Sequence, residues 1–188
     1  RLADLVGVEN DLAIVQTYCN HLLELRCSSV PGAMDISTAL CVAAIATYGR
    51  TTGSGVRSGV SPEQLGSLSS DDQQAHRYFK NLRDKWVAHS VNAFEENHVV
   101  AHLVPEDRGP KQVLSISVQH RRVTGLSVDD VQALSGLAKR LSVIISTDIG
   151  VEKEKVLAIA RSCPVEELYA RGDGPMPFRA VGRDGAGK

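Results

Sequence analysis

Aromatic residues are scarce in this sequence, which has one Trp, three Phe and four Tyr among 188 residues. This scarcity argues against an aromatic-rich sheet, and the dominance of Ala, Leu and Val favours packed helices within one domain. No apolar run approaches the roughly 18 residues of a membrane span, and the N-terminus has no signal-peptide pattern. We therefore expect a cytoplasmic protein with no membrane segment.

Metal-binding and disulfide patterns are also missing. The four cysteines, Cys19, Cys27, Cys41 and Cys163, have no CxxC or CxxH spacing, so we interpret them as reduced thiols that pack as small apolar side chains. His98 and His102 share one face of a predicted strand, but no third ligand at a suitable spacing accompanies them. The sequence predicts no metal and no cofactor.

The formal net charge of −1 argues against a wholly basic nucleic-acid-binding surface. Any phosphate binding must therefore come from a local patch of positive charge. Five basic residues are candidates for RNA binding, and each is otherwise a solvated surface charge. They are Arg50, Arg57, Arg77, Lys80 and Lys85.

Apolar residues recur at spacings of three and four from Leu5 to Leu22, which predicts a helix over about 2–26. The same spacing predicts a second helix over roughly 35–49. The Gly- and Ser-rich segment 49–70 then predicts a long loop, which is either disordered or partly ordered and substrate-facing.

Capping patterns mark two further helices. Ser70 with Gln73 predicts a helix that runs to about residue 91, and Ser127 with Asp130 begins a fourth helix. Between them, alternating β-branched residues predict a hairpin that pairs 98–104 with 112–118.

These elements predict a mainly α fold, a four-helix bundle with an inserted β-hairpin. The bundle spans residues 1–163, with the hairpin at about 97–119. Residues 164–188 have the composition of a flexible C-terminal tail.

The third predicted helix carries an arginine and a histidine in the stretch NLRDKWVAHS. Arg83 and His89 would lie about 120° apart in rotation and ~9 Å apart along a straight helix, so they could not reach one small group together. Either the helix ends before His89, or a two-fold axis supplies the same residues from a second chain. The alternative is that His89 is a core histidine and Arg83 a helix-edge ion pair.

The two residue types suit metal-free RNA cleavage. A histidine with a pKa near 6.5 can act as base or acid, and an arginine can hold the phosphate through the transition state. Asp84 could orient a neighbouring Arg or His, or be a solvated acid.

The segment LRDKWVAH resembles the R-x(4–6)-H motif of HEPN (higher eukaryote and prokaryote nucleotide-binding) domains. The hairpin and the long loop resemble the abortive-infection-like subgroup. The resemblance implies an all-α bundle that dimerises and cleaves RNA without a metal, as a toxin or in phage defence. Arg83 and His89 would be catalytic and Asp84 supporting.

Two other functional classes stay open. The first is a non-catalytic HEPN module that binds RNA, a nucleotide or a partner protein, such as a cognate antitoxin or a nucleotidyltransferase. The second is a dimeric helical scaffold in which His89 is buried and Arg83 is paired to an acid.

Overall fold

The protein is mainly helical, with one small antiparallel hairpin. The computed structural model describes residues 1–53, 57–87, 95–105, 107–122 and 125–171. In chain order its elements are α1 (Leu2–Arg26), α2 (Ala33–Thr51), α3 (Pro62–Gly66), α4 (Ser70–Leu82), a π-helical turn (Arg83–Val87), β1 (Glu95–Leu103), β2 (Val113–Arg122), α5 (Val128–Ser162) and α6 (Val165–Arg171). The chain divides into two compact units, residues 1–150 and 151–188.

The first unit is organised around a core to which α1, α2, α4 and α5 all contribute. The predicted stripe of α1 is confirmed, since Leu5, Val8, Leu12, Val15, Cys19 and Leu22 are all buried. Helix α1 packs along α2. The core also contains Cys41, Ala44, Ile45 and Tyr48 from α2, Phe79 and Leu82 from α4, and Val131, Leu134, Leu137, Ala138, Leu141, Ile145 and Ile149 from α5.

The cysteines differ in exposure. Cys19 and Cys41 are buried in the core, whereas Cys27 and Cys163 are exposed, and all four are reduced. Burial raises the pKa of the Cys19 thiol to about 12, which keeps it protonated and unreactive at neutral pH. These two buried thiols therefore pack as the sequence predicts.

The predicted loop over 49–70 contains a short helix. In α3, the Ser61 hydroxyl accepts a hydrogen bond from the Gln64 amide at 3.3 Å, and the Gln64 side chain accepts one from the Ser61 amide at 2.7 Å. This reciprocal capping box lets a five-residue helix form within a Gly- and Ser-rich segment. The segment predicted as a long loop over 49–70 therefore includes one short ordered helix, α3.

The start of α4 lies one residue away from the predicted cap. Ser69 is the N-cap residue, and its hydroxyl accepts from the Asp72 amide at 3.2 Å. Gln73 does not complete a box with Ser70, since its side chain donates to the Leu68 carbonyl at 3.0 Å. The Ser127–Asp130 box at the start of α5 is confirmed, with the Asp130 amide 3.0 Å from the Ser127 hydroxyl.

The third helix changes form at Arg83. It is α-helical as far as Leu82 and continues as a π turn over Arg83–Val87, so the regular α geometry assumed for the motif does not apply there. A π turn accommodates one extra residue and shifts the direction of each side chain. Here it accompanies the packing of Arg83 on α2.

The predicted hairpin is confirmed and extends further than the sequence pattern indicated. β1 and β2 pair antiparallel, with Val99 opposite Val118 and Ala101 opposite Ile116. These four residues share one face, and all four are exposed. Among the hairpin side chains that the structure describes, residues 97–103 and 113–120, none belongs to the buried core.

The second unit comprises the end of α5 and the helix α6. Helix α6 occupies Val165–Arg171, within the segment for which composition predicts a tail. Residues 172–188 of that predicted tail lie outside the described residues. None of the described helices combines the length and the apolar character that crossing a bilayer requires.

Candidate functional site around Arg83

Arg83 opens the π turn, and its side chain is 48% exposed. Its Nη1 donates to Asp84 Oδ1 at 2.9 Å, and Lys80 Nζ donates to Asp84 Oδ2 at 2.7 Å. The hydrogen bonds from Lys80 and Arg83 lower the pKa of Asp84. Asp84 is therefore an ionised carboxylate shared by two cations, on a side chain that is 37% exposed.

Gly49 on α2 makes room for the stem of Arg83. A Cβ atom at position 49 would lie 2.5 Å from Arg83 Cγ, closer than such atoms approach in proteins, and a tight 3.0 Å from Cδ. The guanidinium thus reaches solvent past the C-terminal turn of α2, while its aliphatic part lies against the helix backbone. No local sequence pattern indicates this contact, because it joins residues 34 positions apart.

His89 lies outside the described residues, as do all of residues 88–94. The pairing of Arg83 with His89 therefore stays a prediction.

Arg50 and Arg57 converge on a buried carboxylate. Asp11 on α1 is 4% exposed, and its oxygens lie 2.5 Å from Arg57 Nη2 and 3.5 Å from Arg50 Nη2. Arg57 Nη2 also donates to the Arg50 carbonyl at 3.2 Å. Two cations therefore meet one acid beside the end of α2.

Sequence reasoning missed Asp11, although a signal was available. The residue lies three positions after Val8 and four before Val15, within the apolar stripe of α1. A carboxylate on a buried stripe needs a cationic partner, because an unpaired buried charge is very costly. The partners are Arg50, near the end of α2, and Arg57, which follows it.

The other predicted basic residues lie on the exposed side of this region. Arg77, Lys80 and Lys85 are all exposed, and of these Lys80 takes part in the pairing with Asp84. The structure therefore brings Lys80, Arg83 and Asp84 together on α4 and the π turn.

A second histidine packs against the same turn of α2. His76 Nδ1 is 2.8 Å from the hydroxyl of the fully buried Tyr48, and the two rings meet edge to face. Burial lowers the pKa of His76, with further lowering by Lys80 and Arg77. His76 is therefore neutral at pH 7. Tyr78, two residues further along α4, is 43% exposed.

His98 and His102 lie on the exposed hairpin, where His102 Nε2 is 2.8 Å from the Ser117 hydroxyl. Among the described residues no three His, Cys, Asp or Glu side chains are grouped as a metal site would require.

Two adjoining clefts lie at the opposite end of α2 from Arg83. One, of about 400 Å³, is lined by residues that include Arg26, Met34 and Leu126. The other, of about 450 Å³, is lined by residues that include His21, Ile36 and Leu40. The 16 residues between Ala33 and Gly49 separate the helix ends by roughly 24 Å. These clefts therefore do not belong to the Arg83 site.

Comparison with protein-family models, curated proteins and solved structures finds no match to this chain.

Proposed function

We propose that this protein is a metal-independent endoribonuclease of HEPN type, with Arg83 and His89 as catalytic residues and Asp84 as a supporting residue. The observation that carries the proposal is the π turn over Arg83–Val87, which begins at the motif arginine. Such interruptions of a helix are frequent at functional sites. The proposal includes a HEPN-like four-helix bundle of α1, α2, α4 and α5, and a homodimer in the cytoplasm.

The proposed chemistry begins with the 2′-hydroxyl of RNA attacking the adjacent phosphorus. His89 of one chain takes the hydroxyl proton, and the second copy of His89 protonates the departing 5′-oxygen. Arg83 donates to the phosphate oxygens as charge develops on them. The products are a 2′,3′-cyclic phosphate and a 5′-hydroxyl.

Asp84 supports this chemistry by holding Arg83. Its carboxylate is ionised at neutral pH, and the bonds from Lys80 and Arg83 that lower its pKa hold that state down to more acidic pH. Its bond to Nη1 leaves the other N–H groups of the guanidinium available to the phosphate. Arg77, Lys80 and Lys85 are proposed to follow the RNA backbone. A cellular role as a toxin or in phage defence, with an antitoxin or a nucleotidyltransferase as partner, is part of the same proposal.

The decisive experiment compares RNA cleavage by the wild type with the variants Arg83→Ala and His89→Ala. Each substitution is expected to abolish cleavage and to leave the helical circular-dichroism signal intact. Arg161→Ala, which removes an exposed charge in the second unit, is the matched control and retains activity. Full ribonuclease activity in the purified double variant would refute the assignment.

A non-catalytic RNA-binding module is the second candidate. It is favoured by the arrangement of Lys80 and Arg83 around Asp84, which makes an anion anchor that needs no histidine. RNA binding without cleavage over a wide pH range would support this function instead of the first.

A further inference from the structure

Four basic side chains from three separate stretches of sequence meet around the C-terminal end of α2. We call Arg50, Arg57, Lys80 and Arg83 the cationic cluster. Arg50 and Arg57 share Asp11, and Lys80 and Arg83 share Asp84. The pair around Asp11 adjoins the pair around Asp84, because the stem of Arg83 lies against Gly49, the residue before Arg50.

The cationic cluster is only half neutralised by its own acids. Four positive groups share two carboxylates, in a chain whose formal net charge is −1. The negative end of the α2 dipole lies nearby, but it amounts to roughly half an elementary charge. A net positive charge therefore remains within the cluster, and it favours an anionic ligand.

The exposed members have donors available to such a ligand. The side chains of Arg50 and Lys80 are 66% and 51% exposed. Arg50 contacts Asp11 through one nitrogen at 3.5 Å, a distance too long for a strong hydrogen bond. Arg57 is different, since it is held at 2.5 Å against the buried carboxylate and lies across Gly7.

We propose that the cationic cluster binds the phosphodiester backbone of single-stranded RNA, with Arg50, Lys80 and Arg83 contacting phosphates and Arg57 fixing Asp11. The cluster spans α2, α4 and the segment at Arg57, which suits an extended polyanion better than one phosphate group. The choice of RNA rests on the proposed function. The new assignment is that Arg50, distant in sequence from the motif, extends the Arg83 site along the RNA.

The test uses a fluorescently labelled 2′-O-methyl oligouridine, which keeps the phosphodiester backbone of RNA but cannot be cleaved through its 2′ position. Arg50→Ala is expected to weaken binding about five-fold at roughly 0.1 M salt and to make the salt dependence shallower by about 0.7 in log–log slope. Lys80→Ala should act similarly, whereas Arg50→Lys, which keeps the charge, should lose less. Arg161→Ala is the matched control and should bind as the wild type does.

The outcomes separate this inference from the proposed function. If Arg50→Ala binds as tightly as Arg161→Ala, or if the wild type does not bind the oligonucleotide, the inference is overturned. If substitutions in the cationic cluster weaken binding of the oligonucleotide but natural RNA is never cleaved, the inference stands and the ribonuclease proposal fails. Circular dichroism of each variant verifies folding, which Arg50 and Lys80 should not affect because both are exposed.

Discussion

Because Gly49 has no side chain, the stem of Arg83 can lie against the α2 backbone, and this contact positions the Arg83 guanidinium. An added Cβ would lie 2.5 Å from Cγ of Arg83. Because Cγ is close to the backbone, it can move less than the end of the side chain to relieve the overlap. Alanine in a helix gains about 1 kcal/mol over glycine, but overpacking costs about 1–3 kcal/mol. The steric cost therefore equals or exceeds the gain.

We predict that Gly49→Ala displaces the Arg83 guanidinium and lowers the unfolding free energy by up to about 2 kcal/mol. Under the proposed function, cleavage should fall by as much as ~100-fold, because small misplacements of a catalytic group are costly. Urea denaturation and an RNA cleavage assay measure the two effects. Gly150→Ala is the control, since a Cβ there meets nothing within 4 Å. Wild-type cleavage by Gly49→Ala would show that the contact does not position Arg83.

His76 gives the first unit a predictable dependence on pH. Burial beside Tyr48 lowers its pKa in the folded state, and Lys80 and Arg77 lower it further. Below its ordinary pKa of about 6.5, the unfolded chain therefore binds more protons at this residue than the folded chain does. The stability that neutral His76 contributes is present above that pH and is lost as the pH falls through the folded-state pKa.

We predict that the unfolding free energy decreases between pH 7 and pH 5, with a contribution from His76 of at most about 1.4 kcal/mol per pH unit. His76→Asn should flatten this dependence, as measured by urea denaturation at each pH. His21→Asn is the control, because His21 is exposed on α1 and its ring contacts the exposed Glu24 instead of a buried group. An unchanged slope in His76→Asn would contradict the linkage.

At the scale of elements, the periodicity of apolar and β-branched residues correctly predicted α1 and the hairpin. The stripe of α1 was visible because one face of a long helix is buried along its whole length. The hairpin was visible because β-branched residues alternate on both sides of a turn. Helix α3 was hidden, since its five residues form little more than one turn and depend on the Ser61–Gln64 cap.

The π turn and the contacts of the site could not be read from the sequence for a different reason. The contact of Arg83 with Gly49 and that of Asp11 with Arg50 each join different elements, so they depend on how α1, α2 and α4 pack. Local propensity carries no information on such contacts. The sequence could therefore nominate Arg83, Asp84, Arg50 and Lys80, but it could not show that they share one end of α2.

The hairpin should be energetically separate from the core. Ile116 on β2 is 60% exposed, whereas Ile145 on α5 is fully buried. We predict that Ile145→Ala lowers the unfolding free energy by about 2–5 kcal/mol and that Ile116→Ala changes it by less than about 0.5 kcal/mol. Urea denaturation of the two variants provides the comparison. A comparable loss in Ile116→Ala would mean that the exposed hairpin face is covered in solution.

At the scale of the whole molecule, the proposed chemistry requires more histidine than one chain supplies at the motif. A base and an acid are both needed, and each chain carries one His89. A two-fold axis beside the π turn would place two copies of Arg83 and His89 around one phosphate. The dimer is thus a requirement of the proposed mechanism, which can be tested by subunit mixing.

We predict that mixed dimers of wild type and Arg83→Ala/His89→Ala are inactive, because their shared site has one arginine and one histidine instead of two of each. After subunit exchange in an equal mixture, random pairing leaves about one quarter of the dimers with two wild-type chains. At the same total protein concentration, the cleavage activity should therefore fall to about one quarter of that of the wild type alone. Activity should vary with the square of the wild-type fraction. Mixing the wild type with Arg161→Ala should cause no loss of activity. If activity instead falls linearly with the wild-type fraction, to half in the equal mixture, each chain carries a complete site.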